Sequence, residues 1–201
     1  MKALLVDYGG VLTTNVFDSF RSFCAGEGLD PETIKRLFRS SPRALELVRS
    51  METGAVGEDE FAEEFGALLG IENREGLLDR MFSHLAEDER MVEAVRRVRA
   101  NGVRTGLISN SMGAGRYDRA TFPDLFDGVV ISGDEGMHKP NPEIFLLGAE
   151  RVGLPPEECV FVDDLRENCA GAEAVGMTAI LHRGAESTLP ELERLLGVRP
   201  L

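Results

Sequence analysis

The chain has 201 residues, 43% hydrophobic and 28% charged, a balance that suits one folded domain or one domain with a modest insertion and argues against wholesale disorder. Its 22 basic and 35 acidic residues leave a formal net charge of -13, which argues against a nucleic-acid face or a membrane surface as partner but leaves room for a small anionic ligand at a local site. The cysteines, Cys24, Cys159 and Cys169, are odd in number and form no Cys-x-x-Cys pair, so no disulfide framework is implied and a reducing cytoplasmic location is expected.

In chain order, Lys2–Val6 is an apolar run that reads as a buried strand. It ends at Asp7, and Tyr8-Gly9-Gly10 reads as a tight loop behind it. The stretch 16–85 has no convincing strand. Phe17, Phe20, Phe23 and Cys24 share a helical face there. Further helical patterns cover Pro31–Phe38, Pro42–Met51, Glu58–Leu69 and Arg74–His84, with Thr53-Gly54-Ala55-Val56-Gly57 as a breaker. Seven of the 11 phenylalanines lie at or before residue 82, so this helical stretch holds most of the aromatic packing material.

Asp88–Ala100 places Met91, Val92, Val95 and Val98 on one face and stops at Asn101-Gly102. Thr105–Ser109 and Gly128–Ser132 read as strands. Asn141-Pro142-Glu143 reads as N-cap, first-turn proline and first-turn acid of a helix that closes at Gly153. Cys159–Val162 is a strand ending in Asp163-Asp164, followed by a helix over Arg166–Val175 and a strand over Thr178–Leu181. The tail from Ser187 reads as a short helix with Leu189, Leu192, Leu195 and Leu196 packing inward and a frayed Arg199-Pro200-Leu201 end. The alternation predicts an α/β fold, a Rossmann-like, doubly wound parallel sheet. The core takes residues 1–15 and 86–201, with an all-helical insertion over 16–85. No apolar segment reaches the ~18 residues a membrane helix needs.

In open α/β sheets, ligands bind beyond the carboxyl ends of the strands. The polar residues fall there: Asp7, Ser109 and Asn110, and Asp163 and Asp164, with Lys139 in a loop that can reach the same edge. Singly, each has a plain reading, as a turn cap or a solvated lysine. Together they read differently. Three carboxylates at one edge repel one another, and a hard divalent cation removes that penalty. Oxygen-only ligands favour Mg²⁺ over Zn²⁺. Lys139 can hold an anionic substrate and steady a carboxylate nucleophile, and Ser109 and Asn110 have donors for phosphoryl oxygens. Gly9 and Gly10 leave backbone N–H groups close by.

Four segments carry a family resemblance: Asp7-Tyr8-Gly9-Gly10-Val11-Leu12-Thr13, Ile108-Ser109-Asn110-Ser111, Lys139-Pro140-Asn141-Pro142-Glu143-Ile144-Phe145, and Phe161-Val162-Asp163-Asp164 with Asn168 beyond. Their order and spacing resemble the haloacid dehalogenase-like (HAD) hydrolase superfamily, in the branch with a helical cap inserted after the first strand. The resemblance implies that Asp7 is the nucleophile that forms an aspartyl-phosphate. It implies that Ser109 and Asn110 bind phosphate and that Lys139 neutralises nucleophile and phosphate. Asp164 resembles the direct Mg²⁺ ligand, Asp163 its water-mediated partner, and Asn168 the residue orienting that loop. The Gly9 carbonyl would take another Mg²⁺ position. The implied activity is hydrolysis of a small phosphorylated metabolite. Thr14, Asn15, Phe20, Arg43 and Met137 are candidates for lining the substrate space, and His138 is a candidate proton donor.

One departure stands out. The phosphatase pattern is Asp-x-Asp, whose second acid protonates the leaving group and then activates water. Here that position is Gly9, and general acid–base assistance contributes ~10²–10⁴-fold. Good leaving groups, an acid from the cap, a substrate group or an ordered water would each restore the reaction. Alternatively the chain is a non-catalytic or regulatory interaction domain on this scaffold. Dehalogenation of a 2-haloacid needs neither metal nor second acid, but Asp163-Asp164 argues for a metal.

Overall fold

The computed structural model describes residues 1–111 and 113–201. In chain order the elements are β1 (Ala3–Val6), α1 (Val16–Gly26), α2 (Thr33–Ser40), α3 (Pro42–Glu52), α4 (Glu58–Leu69), α5 (Leu77–Phe82) and α6 (Glu89–Ala100). They continue with β2 (Arg104–Ser109), α7 (Phe122–Leu125), β3 (Gly128–Ile131), α8 (Ser132–Glu135), α9 (Pro142–Val152), β4 (Cys159–Asp163), α10 (Arg166–Ala174), β5 (Thr178–Leu181) and α11 (Ala185–Leu196).

The strands form one sheet of order β3-β2-β1-β4-β5, parallel throughout. β1 is central, with Ala3 opposite both Arg104 and Cys159. All four of its side chains are buried, as expected of a parallel strand covered on both faces. Leu4 and Val6 join the core made with α6, α7 and α11, while Ala3 and Leu5 join the core made with α9 and α10. The sheet is therefore doubly wound, as its sequence pattern predicts.

Helices α1 to α5 build a separate core around Phe20, Phe23, Phe61, Phe65, Leu77 and Met81. Phe61 and Phe65 stack at 4.9 Å, and Phe17, Phe20 and Phe38 meet edge to face. The chain enters and leaves this layer through two segments that lie side by side: Thr14 N–H donates to Ala86 O at 2.7 Å and Asp88 N–H to Leu12 O at 2.9 Å. Capping fixes the helix starts. Asn15 accepts from Phe17 N, Ser41 from Ala44 N, and Asp88 from Arg90 N and Met91 N.

Some expectations shift. The helix read over Arg74–His84 shortens to α5, because Gly76 sits at φ 57 just before it. Asn141 occupies the N-cap position of α9 without a side-chain capping bond. α7 and α8 have four residues each, too few to show a helical period. Pro200 is buried, so the tail is packed rather than frayed there. The cysteines are buried and free. Among the described residues no helix is long and apolar enough to cross a membrane.

Candidate active site

Because the strands are parallel, their carboxyl ends share one edge of the sheet. β1 delivers Asp7 there, β2 delivers Ser109 and Asn110, and β4 delivers Asp163 and Asp164. Lys139 arrives from the loop before α9 and is buried among them. Its ammonium satisfies all three of its hydrogens: Asp7 Oδ1 at 2.7 Å, Asp163 Oδ2 at 2.7 Å, and the carbonyl of Ile108 at 3.0 Å.

Asp163 is held from several sides. Leu165 N–H donates to its Oδ1 at 2.8 Å, and Asn168 Nδ2 reaches both oxygens at 3.1 Å. Asp7 Oδ1 also accepts from Tyr8 N–H at 2.7 Å, whereas its Oδ2 takes no hydrogen bond among the described residues. Asn110 ties three parts of the chain together. Its Oδ1 accepts from Lys139 N–H at 2.8 Å, and its Nδ2 donates to Lys139 O and to Glu52 Oε2, each at 3.2 Å. Ser109 Oγ shares a hydrogen bond of 2.9 Å with the hydroxyl of Tyr117.

This arrangement is short of positive charge. Asp7 is pushed up to about 8, chiefly by burial and with help from Asp163 and Asp164, against the lowering pull of Lys139. Asp164 is pushed up to about 6, first by burial and then by Asp163. Burial alone would depress the Lys139 ammonium, but Asp163 and Asp7 outweigh it and hold the group above its usual range. Three carboxylates thus share one ammonium, and two further positive charges would balance them.

Oxygens of Asp7, Asp163 and Asp164 lie within 4.8 Å of one another. An all-oxygen set of this spacing suits a hard divalent cation such as Mg²⁺. The backbone makes room for it. Gly10 has φ +74, and a Cβ there would stand 2.6 Å from Asp164 Oδ2. Any other residue would be strained and would displace that carboxylate.

A cavity of about 170 Å³ opens above these groups. Asp7, Gly9, Asn110, Lys139 and Asp164 line its lower part. Val16, Phe17, Phe20, Phe38 and Val48 line the part supplied by α1 to α3, together with Glu52, the last residue of α3. Glu52 is half-buried, and burial pushes its carboxyl up to about 7, against the lowering pull of Lys139, the Asn110 bond and Arg49.

Of the sequence candidates, Asp7, Gly9, Asn110, Lys139, Asp164, Asn168 and Phe20 line this cavity. Asp163 and Ser109 lie behind it, bonded as described. Gly10 departs from its expected use: its N–H is committed to Thr13 Oγ1 at 3.0 Å, so it offers space rather than a donor. Thr14, Asn15, Arg43 and Met137 are engaged elsewhere. Thr14 Oγ1 accepts from Ala86 N–H, Asn15 caps α1, Arg43 pairs with Glu46 and Glu64, and Met137 packs on the α9 side of the sheet. His138 Nδ1 lies 2.7 Å from the carbonyl of Lys139. Sequence reasoning misses Glu52, Tyr117, Phe17, Phe38 and Val48 as members of this neighbourhood.

The comparisons with known proteins bear on the family and the fold. A family model described as haloacid dehalogenase-like hydrolase matches residues 1–176. The chain is 30% identical to acyl-CoA dehydrogenase family member 10 of Mus musculus, over 98% of this chain but only 19% of the mouse protein. It is 28% identical to a sesquiterpene phosphatase of Aspergillus oryzae, over 98% of this chain and 97% of the fungal one. Among solved structures, a predicted HAD-like family hydrolase from Porphyromonas gingivalis superposes with a TM-score of 0.73 at 26% identity, covering 98% of both chains. A HAD family enzyme from Bacteroides thetaiotaomicron, in complex with magnesium and inorganic phosphate, shares the fold with a TM-score of 0.65 at 22% identity, over 92% of this chain and 96% of that one.

Proposed function

This chain belongs to the haloacid dehalogenase-like hydrolase family, and from that premise we propose that it hydrolyses a small phosphomonoester of an apolar alcohol through an aspartyl-phosphate on Asp7. The observation that carries this reading is the pairing of two unlike halves of one cavity. Asp7, Lys139 and Asp164 lie at the sheet edge, and Val16, Phe17, Phe20, Phe38 and Val48 face them from the helical layer. Residues 16–85 serve as the cap, and residues 1–15 and 86–201 as the core. The apolar wall suits the alcohol of the ester; the name of the Aspergillus relative points the same way.

Asp7 Oδ2 is the oxygen free to attack phosphorus, while Oδ1 is held by Lys139 and Tyr8 N–H. Those two bonds orient the carboxylate for in-line attack. Lys139 stays charged and offsets charge on the transferring phosphoryl group. Asp7, Asp164 and the Gly9 carbonyl would hold Mg²⁺, with Asp163 assisting from behind. When bound, Mg²⁺ supplies charge neutralisation at the phosphoryl oxygens. Asn168 and Leu165 N–H fix Asp163, which in turn fixes Lys139. Asn110 and Ser109 border the phosphate position, Asn110 at the cavity wall and Ser109 braced by Tyr117. The carboxylate cluster favours this reading over 2-haloacid dehalogenation, which has no use for a cation.

The test is a panel of alkyl and aryl phosphates assayed with Mg²⁺ and with chelator. Turnover that requires Mg²⁺ and disappears in Asp7→Asn is the expected result. No turnover anywhere on the panel, with no Mg²⁺ bound by the pure protein, would overturn the proposal.

A further inference from the structure

The reaction needs a proton for the departing alkoxide, and Gly9 has no side chain to supply one. We propose that Glu52, brought from the end of α3, is the general acid and then the general base of this site. The proposal rests on the phosphatase reading above.

Three features place Glu52 for the task. It lines the same cavity as Asp7, and it does so from the layer that also supplies the apolar wall. An alcohol lying against that wall puts its ester oxygen on the side of phosphorus away from Asp7, which is where an in-line leaving group must be. Glu52 is also pinned to the core. Asn110 Nδ2 donates to its Oε2, and Ser132 Oγ donates to its backbone carbonyl. Gly54, two residues on, approaches Gly133 so closely that a Cβ would stand 2.9 Å from the Gly133 carbonyl. Finally, Oε1 of Glu52 has no hydrogen-bond partner among the described residues, so it remains available for a proton. The carboxyl sits at about 7 through burial, in the range suited to both giving and taking a proton.

Asp7 Oδ2 forms a bond to phosphorus while the phosphorus–alkoxide bond breaks, and the Glu52 proton passes to the alkoxide to give the alcohol. Water then enters the position the alcohol leaves. Its proton passes to the Glu52 carboxylate as its oxygen bonds to phosphorus and the Asp7–phosphorus bond breaks. Inorganic phosphate departs and Glu52 is again protonated.

Glu52→Gln tests this, because the amide keeps an acceptor for Asn110 but has no acidic proton to transfer. Benzyl phosphate has a poor leaving group, and 4-nitrophenyl phosphate has one that departs unprotonated. In E52Q, benzyl phosphate turnover should fall ~10²–10⁴-fold. With 4-nitrophenyl phosphate a rapid burst of nitrophenolate, close to one per enzyme, should persist and be followed by slow turnover as phosphorylated Asp7 accumulates. Glu52→Asp should recover part of the benzyl phosphate rate, which a purely structural role for Glu52 would not give. Unchanged benzyl phosphate turnover in E52Q would overturn the proposal, as would equal slowing of the burst and of benzyl turnover. A wild-type enzyme inactive on both substrates would sink the phosphatase reading itself, and this proposal with it.

Discussion

Gly10 shows how much of the site depends on a missing atom. Its φ of +74 and the 2.6 Å approach of Asp164 Oδ2 leave no place for a Cβ. Gly10→Ala should cost about 1–2 kcal/mol for the left-handed backbone, with more if Asp164 cannot move aside. If Asp164 does move, Mg²⁺ affinity falls. Thermal unfolding in chelator reads the first effect, and the rise in Tm on titrating Mg²⁺ reads the second. We expect Tm to drop in chelator and the Mg²⁺ titration to shift to higher concentration. An unshifted titration with no stability loss beyond that backbone cost would mean that Asp164 takes no part in holding the ion. The glycine pair is visible in the sequence next to Asp7, but its use is not: a donor and a gap look alike until Thr13 Oγ1 is seen to take the N–H.

The wall of the substrate space is an assembly of elements. Phe17 belongs to α1, Phe38 to α2, and Val48 and Glu52 to α3. Periodicity reveals that these helices exist and which stripe is apolar. It does not say which apolar residues close the helical core and which face the cavity. Phe17 is only half-buried, packed at the rim of the core that Phe20 and Phe65 fill. Phe17→Ala should therefore change stability less than Phe20→Ala, which removes a fully packed ring at roughly 3–5 kcal/mol. Its effect should fall on KM for benzyl phosphate, raised about tenfold, in keeping with loss of apolar contact worth about 1–3 kcal/mol. Steady-state kinetics of the variant give the answer, and an unchanged KM would place the alcohol elsewhere. Glu52 was illegible for a related reason. Its partner Asn110 lies 58 residues away, and only the docking of α3 on α8 brings the two together. The strand ends were legible because buried parallel strands are unbroken apolar runs, and the residues that stop them mark the sheet edge directly.

On the scale of the molecule, an acidic chain concentrates three carboxylates at one buried edge and meets them with one lysine. That arrangement ties stability to pH and to cation binding. In the metal-free protein Asp7 sits at about 8 and Asp164 at about 6, both above the ordinary 3.8. The folded state therefore holds protons that the unfolded state has released, and stability falls as pH rises from about 4 toward 8. A divalent cation reverses this, because it binds best where the carboxylates are ionised and competes with protons for them. Chelated protein should lose Tm between pH 5 and pH 8. Mg²⁺ should restore more at pH 8 than at pH 5, with about 2.7 kcal/mol gained at a hundred times its dissociation constant. Asp7→Asn removes the group most strongly displaced, so its Tm in chelator should vary less with pH than that of the wild type. If wild type and variant follow the same pH course in chelator, Asp7 is not the group that holds the excess proton, and the charge deficit at the sheet edge must be met by another arrangement.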